Sequence, residues 1–418
     1  MSVSVAVIGG GPAGMMAAIA AGEKGAEVFL FDGNEKLGKK LFITGKGRCN
    51  VTNSAQGREF LGNIVHNGRF MYSAFSAFDN NALMQKIEEA GTPLKEERGG
   101  RIFPVSDKAS DITKALEKML AKNRVRVTLR AKVREIIPSD GGYDLDFGSE
   151  TRHFDKVIVA TGGVSYPTTG SDGSGYALLK RLGHTVTEIK PSLIAVLTKE
   201  DWCKELQGLS LKNVTLTAKM GKKVLYTELG EMLFTHFGIS GPLVLSMSCL
   251  INDVDLSALS VSIDLKPGLT REQLEKRILR DFEEKNRGQI STVIDGLLPR
   301  SMTPIVASLC GIPENTPISQ VTKGQRDKLI DTLKALPVTP CGFRPIAEAI
   351  VTRGGVNIKE IDPKTMESRL HPGLYVAGEL LDVDGFTGGF NLQIAFSTGH
   401  AAGRSAAEPQ MKNEEMKE

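Results

Sequence analysis

Residues 5–8, Val-Ala-Val-Ile, run directly into Gly9-Gly10-Gly11-Pro12-Ala13-Gly14 and then into the small-residue stretch from Met15 to Gly22. A buried strand, a glycine turn and a helix in that succession match the G-x-G-x-x-G dinucleotide fingerprint in its structural context. Gly9 permits the tight turn, Gly11 lets backbone approach a pyrophosphate, and Gly14 lets the helix pack on the strand. Free N–H groups at the helix start then face the phosphate charge. A second strand, Glu27 to Phe31, ends in Asp32, 18 residues past Gly14. That is where an acceptor for adenosine ribose hydroxyls belongs, and an acid there disfavours a 2′-phosphate.

A chain of 418 residues holds two or three domains by length. Its 41% apolar and 24% charged residues are an ordinary globular balance. The net charge is only +3, and Lys and Arg are scattered, so no nucleic-acid partner is expected. Cys49, Cys203, Cys249, Cys310 and Cys341 are far apart and form no C-x-x-C pair, so a reducing cytoplasm and no metal site are expected. The N-terminal apolar stretch lacks a basic leader and is broken by glycines and Pro12, unlike a signal peptide. No apolar run approaches the ~20 residues of a membrane span.

Beyond Asp32, Leu37 to Asn53 interleaves Gly38, Gly45 and Gly47 with Lys39, Lys40, Lys46 and Arg48, and Lys39 or Lys40 would suit a pyrophosphate. Apolar spacing predicts a helix over 69–91 and another over 111–120. Alternation predicts strands over 125–129, 131–136 and 143–147. The apolar strand Lys156 to Ala160 ends at Thr161-Gly162-Gly163, which fits the centre of a parallel sheet with a ligand over its carboxyl end. A glycine-rich turn at 170–175 leads into a helix over 176–182. Strands are expected over 195–198, 214–219, 223–227 and 261–265, and a charged helical pattern follows from Thr270 to Leu336. A strand from Leu374 ends at Gly378-Glu379, and Gly385 to Leu392 enters a helix that runs through His400. These readings divide the chain into a cofactor domain over 1–190 and 347–408, a β-rich insertion over 191–268 with a return strand at 337–346, a helical cap over 269–336, and a flexible tail over 409–418.

Together these segments resemble the BaiN-like (YhiN-like) NAD(P)/FAD-dependent oxidoreductases, built on the glutathione-reductase-type FAD fold. The marks are Gly9 to Gly14, Gly45 to Asn53, Arg101-Ile102-Phe103-Pro104, Ala160 to Gly163, Phe234 to Pro242, Thr352 to Val356 and Gly378 through Leu392. The resemblance implies an α/β chain: a Rossmann-like FAD-binding domain with an inserted β-barrel-like subdomain that carries a helical cap. It implies tight, non-covalent FAD in an extended pose. Gly9, Gly11, Pro12, Ala13 and Gly14 would hold the pyrophosphate, and Asp32 with Gly33 the adenosine ribose. Lys40, Leu41, Gly45, Gly47, Arg48, Cys49 and Asn50 would run beside the ribityl chain and flavin. Val133 would touch adenine, and Thr161 and Gly162 would lie under the cofactor. Gly378, Glu379 and Asp382 would make the second ribityl and pyrophosphate contact. Gly389, Phe390, Asn391 and Leu392 would meet the pyrimidine end of the isoalloxazine.

A single dinucleotide fingerprint and no redox cysteine pair argue against disulfide reduction. NAD(P)H as a transient hydride donor would then share one cleft with the substrate. The resemblance implies reduction of an activated C=C bond in a hydrophobic small molecule such as a bile-acid enone. An FAD-dependent amine oxidase using O2 and a non-enzymatic FAD-binding accessory protein, including an RNA-modification accessory, are the alternatives. Enone reduction needs a donor to the carbonyl and a proton for the α carbon, for which Tyr166, His236 and Arg353 are candidates. Cys49 reads as a small buried thiol rather than a nucleophile.

Overall fold

The computed structural model describes residues 2–408. The expected tail at 409–418 lies outside the described residues. The chain forms two compact units: one from the chain up to Ser192 together with the chain from Ile346 onward, the other from Leu193–Pro345.

The first unit is organised by five strands, β1 (Ser4–Ile8), β2 (Glu27–Asp32), β3 (Arg126–Leu129), β4 (Lys156–Val159) and β5 (Leu374–Val376). They form one sheet in the order β5-β4-β1-β2-β3, with every pairing parallel. Val7 at the centre pairs with Leu30 on one side and Ile158 on the other. Such strands must be covered on both faces, which is why the β4 sequence is Lys-Val-Ile-Val with all four residues buried.

Helix α1 (Pro12–Glu23) follows β1 and is buried without interruption from Ala13 to Ala21. That is the signature of a helix covered on all sides rather than on one stripe. The further cover is α2 (Phe390–Ala406), the last helix of the unit. A Cβ added at Gly399 would fall on the Ala13 carbonyl, and one at Gly403 on the Ala17 carbonyl. Residues four apart share a helix face, so these glycines open a seam along which the two backbones touch. Each glycine costs about 1 kcal/mol of helix propensity relative to alanine, and the close packing offsets it.

Differences from the sequence expectation have local causes. The expected helix over 69–91 is broken into a turn at Gly68–Met71 and helices Tyr72–Ala77 and Asn80–Glu89. Asp79 caps the last of these by accepting the Ala82 N–H at 2.9 Å. The Phe78 carbonyl at the break accepts from Ser397 Oγ at 2.7 Å and Gln393 Nε2 at 3.2 Å on α2. The expected strand over 131–136 starts only at Glu135. Before it, the Ala131 N–H is drawn to the Asp32 carbonyl at the end of β2. The strands Glu135–Ser139, Gly142–Asp146 and Thr151–Phe154 form an antiparallel meander. Lys190–Ser192 pairs with Val351–Arg353, so the first unit extends through Ser192, past the expected boundary at 190.

The second unit is a seven-stranded antiparallel sheet in the order Leu336–Val338, Leu259–Asp264, Ser210–Met220, Lys223–Thr235, Gly238–Ser240, Val196–Thr198, Pro340–Phe343. Its two edge strands are separated by Thr339 alone, so the chain passes directly from one edge of the sheet to the other. Helices Arg271–Glu284, Ile290–Asp295, Thr303–Leu309 and Lys323–Lys334 share one apolar core with these strands, through Leu274, Ile278, Val293, Val306 and Leu329. The helical stretch is thus part of the same unit as the sheet.

Two outcomes follow from the α1–α2 seam. Gly403→Val drives a branched side chain into the α1 backbone and should lower unfolding free energy by about 3 kcal/mol or more, measured by urea denaturation. His400 on α2 is buried, stacks on Phe78 at 4.2 Å and has no partner for Nδ1. Burial lowers its pKa to about 4, with Arg404 and Lys86 adding to the effect. The folded state therefore resists a proton that the unfolded state takes up near pH 6.5. Stability should fall by roughly 3 kcal/mol between about pH 6.5 and pH 4, and His400→Phe should remove much of that loss in a denaturation series against pH.

Candidate functional site

The carboxyl edge of the parallel sheet gathers segments that are far apart in the sequence. After β1 comes the glycine turn. Gly9 has φ +106°, and a Cβ there would press on the Ala160 carbonyl after β4. A Cβ at Gly14 would strike the Gly9 carbonyl. These two glycines serve packing. Gly11 differs: its φ is −78° and a Cβ there would meet nothing within 4 Å. No side chain caps α1, Pro12 occupies its first turn, and the N–H groups of Ala13 and Gly14 have no acceptor among the described residues.

Asp32 at the end of β2 is locked onto this turn. One carboxylate oxygen accepts the Gly10 N–H at 2.6 Å, and the other accepts Asn34 N–H at 2.7 Å and Asn34 Nδ2 at 2.9 Å. Gly33 packs beside Lys132, which precedes the buried Val133. Asp32, Gly33 and Val133 therefore collect at one end of the site.

The basic glycine loop is tied to the turn by the Gly38 N–H, which donates to the Gly10 carbonyl at 2.9 Å. Within the turn Leu41–Gly47, Gly45, Lys46 and Gly47 are left-handed. Leu41 and Cys49 are fully buried, Cys49 at φ 62°. Burial pushes the Cys49 thiol up to about 12, which leaves it protonated and inert at neutral pH. Asn50 Oδ1 and Thr161 Oγ1 are buried with no hydrogen-bond partner. An unpartnered buried acceptor costs about 1–3 kcal/mol, so each of these two atoms could take a hydrogen bond from a bound group.

Several expected cofactor contacts have side chains committed within the protein. Lys40 Nζ donates to Ser165 Oγ and Glu379 Oε2, both at 2.7 Å. Glu379 Oε1 accepts from Thr352 N–H at 2.8 Å and Ser165 Oγ at 3.1 Å. Lys39 reaches Glu35 and Asn34. The Arg48 guanidinium lies over the Phe103 ring and pairs with Glu97 at 2.7 Å and Asp107 at 3.2 Å. Those acids raise its pKa, and the pairing aims it at an acidic cluster rather than into the glycine turn.

Gly162 follows β4 and Gly378 follows β5, both with φ +76°. The Gly378 N–H donates to Thr398 Oγ1 on α2 at 2.9 Å. Burial raises the pKa of the Asp382 carboxyl, and neighbouring Asp384 adds to the rise. Gly389, at φ +103°, lies so close to the Thr52 carbonyl that only glycine fits. Phe390 packs on Phe60. Asn391 clasps the preceding loop: its Oδ1 accepts the Gly385 N–H at 2.9 Å, and its Nδ2 donates to the Gly385 carbonyl at 2.8 Å. The N–H groups of Phe390, Asn391 and Leu392 have no acceptor among the described residues.

Of the three candidate proton donors, Tyr166 and Arg353 lie in the first unit and His236 in the second. Tyr166 is held at φ 52°, with its N–H on the Ala347 carbonyl, at the start of the turn Pro167–Thr169. Arg353 ends the strand Val351–Arg353, and its charge acts on Asp382. His236 belongs to the second unit, against Phe237. Sequence reasoning missed Ser165 and Thr352, which anchor Glu379. It also missed His66, whose Nδ1 lies 2.6 Å from Asp384 Oδ1. Asp384 opens the two-residue strand Asp384–Gly385, two positions after Asp382.

A parallel Rossmann sheet, an open glycine turn, a strand-terminal acid and two uncapped helix starts fit an extended dinucleotide, and the chain is of the FAD-dependent oxidoreductase class. It belongs to the HI0933-like family, matching the HI0933-like protein Rossmann domain over residues 3–405. It is 33% identical to the 3-dehydro-bile acid delta(4,6)-reductase of Clostridium scindens, over 97% of this chain and 99% of that one. It is 32% identical to the ribosomal RNA dihydrouridine synthase of Haemophilus influenzae, over 96% and 97% of the two chains. The ribosomal RNA dihydrouridine synthase of Escherichia coli is 31% identical over 94% of this chain and 96% of its own. No helix among the described residues is long and apolar enough to cross a membrane.

Gly11→Val tests the turn. The side chain has room in the protein, so the variant should fold with the melting temperature of flavin-free wild type. It would fill the open space before α1 and should retain less than about a tenth of the flavin, read as the ratio of flavin to protein absorbance after purification.

Proposed function

We propose that this protein uses FAD to reduce a carbon–carbon double bond conjugated with a carbonyl, taking its electrons from NAD(P)H. The observation that carries the reading is the bare start of α2, where the N–H groups of Phe390, Asn391 and Leu392 are unpaired. Together with the helix dipole they stabilise negative charge on a group placed before them. In this reading Gly11, Pro12, Ala13 and Gly14 hold the pyrophosphate without a covalent bond, and Asp32 receives the adenosine ribose with Gly33 and Val133 beside it. Asn50, Thr161, Gly162, Gly378 and Asp382 line the ribityl chain, and Gly389 to Leu392 meet the flavin ring. The bound cofactor supplies hydride transfer. Lys40 and Glu379 brace the cradle against each other.

The named relatives share one chemistry. A 3-oxo steroid with double bonds at positions 4 and 6 is a conjugated enone, and the uracil ring has a double bond conjugated with its C4 carbonyl. Both reactions add hydride to the double-bond carbon farther from the carbonyl and a proton to the nearer one. The relative at 33% identity favours a hydrophobic steroid-like substrate. A second reading, a uracil base in RNA, draws on the other two relatives and on one surface feature. Arg58, Arg69 and Tyr72 line a cavity of about 380 Å³, and Tyr72 is 62% exposed. Neither arginine has an ion-pair partner among the described residues, so ring stacking and phosphate pairing are both open there.

The experiment is anaerobic flavin absorbance with separated half-reactions. NADPH or NADH should bleach the yellow protein. A 3-oxo-4-ene steroid should then restore the colour, and a uridine-containing RNA should leave it bleached; the reverse pair of results establishes the second reading. Bleaching by an amine with recovery in air would replace both with an oxidase.

A further inference from the structure

We propose that His66 is the catalytic residue that delivers the proton in this reaction and that Asp384 is its positioning residue. This rests on the reading of the protein as a conjugated-alkene reductase. Asp384 is 1% exposed, a costly place for a carboxylate without partners. It has two: Oδ1 faces His66 Nδ1 at 2.6 Å, and Oδ2 accepts from Ser192 Oγ at 2.6 Å. A carboxylate on Nδ1 holds the proton on that nitrogen and fixes the ring's orientation, leaving Nε2 to exchange a proton with whatever enters. His66 Nε2 has no partner among the described residues, and the side chain is 20% exposed.

The backbone places this pair next to the cofactor cradle. His66 ends the strand Ile64–His66, which pairs antiparallel with Asp384–Gly385, His66 opposite Asp384. Gly385 is the residue that Asn391 clasps at the start of α2. Asn67 Nδ2, next in sequence, donates to the Asp382 carbonyl at 2.7 Å. One short ribbon therefore joins the histidine to the segment between Glu379 and Asn391. Charged groups that neighbour this ribbon include Asp382 and Arg353, both also in the first unit.

The step balances simply. A hydride, carrying both electrons, would reach the β carbon from the bound cofactor, and the C=C π pair would shift to the α carbon, where it takes up a proton. The Nε2–H bond of doubly protonated His66 breaks, and the new C–H bond forms at the α carbon. His66 is left neutral with its proton on Nδ1 toward Asp384, and solvent restores the second proton.

The test uses FAD-loaded wild-type, His66→Gln and Asp384→Asn proteins. Each is reduced with NADPH and, separately, with dithionite, then mixed anaerobically with 2-cyclohexen-1-one and with a uridine-containing RNA. In His66→Gln the NADPH step should stay within about twofold of wild type, whereas return of the yellow colour should slow roughly 100-fold with little change in KM. Asp384→Asn should give a smaller loss of the same step. Reoxidation of His66→Gln at the wild-type rate overturns the proposal. Nitrogen NMR of the oxidised holoenzyme reports on His66 without turnover. At a pH where the ring is neutral, wild type should show the proton on Nδ1 and Asp384→Asn a mixture of tautomers; an unchanged ring in Asp384→Asn overturns the positioning role. If neither acceptor reoxidises reduced wild type, the functional reading itself fails and the catalytic role falls with it, while the NMR result still decides the Asp384–His66 pairing.

Discussion

The closeness of α1 and α2 is the constraint on which the first unit depends. Gly399 and Gly403 let α2 lie on the Ala13 and Ala17 backbone, and Gly378 brings the end of β5 against the Ala13 side chain. Because the contact is between backbones, it fixes the relative position of two helix starts separated by more than 370 residues of sequence. Both starts present unpaired N–H groups, at Ala13 and Gly14 on one and at Phe390 to Leu392 on the other. A looser side-chain interface would tolerate sliding, and sliding would separate these two patches of positive potential.

Around this seam the polar interior is closed by a few bridging groups. Lys40, Ser165, Thr352 and Glu379 come from four separate segments and satisfy one another. Gln393, fully buried, joins Thr52, Phe78 and Ser397. Such networks hold when every member is bonded. Against that background, Asn50 Oδ1 and Thr161 Oγ1 are buried without partners. The same contrast separates the glycines: Gly9 and Gly14 press on neighbouring backbone, whereas Gly11 faces open space.

Much of this was legible in the sequence where the signal is local. The turn from Gly9 to Gly14, Asp32 and the apolar β4 carry their structure in residue type and spacing, and they stand together at one sheet edge. The helix over 69–91 was not legible as two pieces, because the break at Phe78 answers to Ser397 and Gln393, more than 300 residues later. Arg48 reads as a cofactor contact in a basic glycine loop, yet its charge is taken by Glu97 and Asp107 across strand pairing that no local pattern reports. His66 carried no signal at all, since its partner lies 318 residues away.

By itself the sequence determined the strand–turn–helix start, the acid that closes β2 and the membership of a dinucleotide-binding class. Each rests on φ/ψ limits, hydrophobic period or charge within a few residues. Tertiary structure decided which glycines serve packing and which faces open space, which lysine and arginine are already paired, and which buried carboxylate holds a histidine. Those outcomes depend on desolvation and on atoms brought within a few ångströms from distant segments, quantities that exist only once the chain has closed on itself.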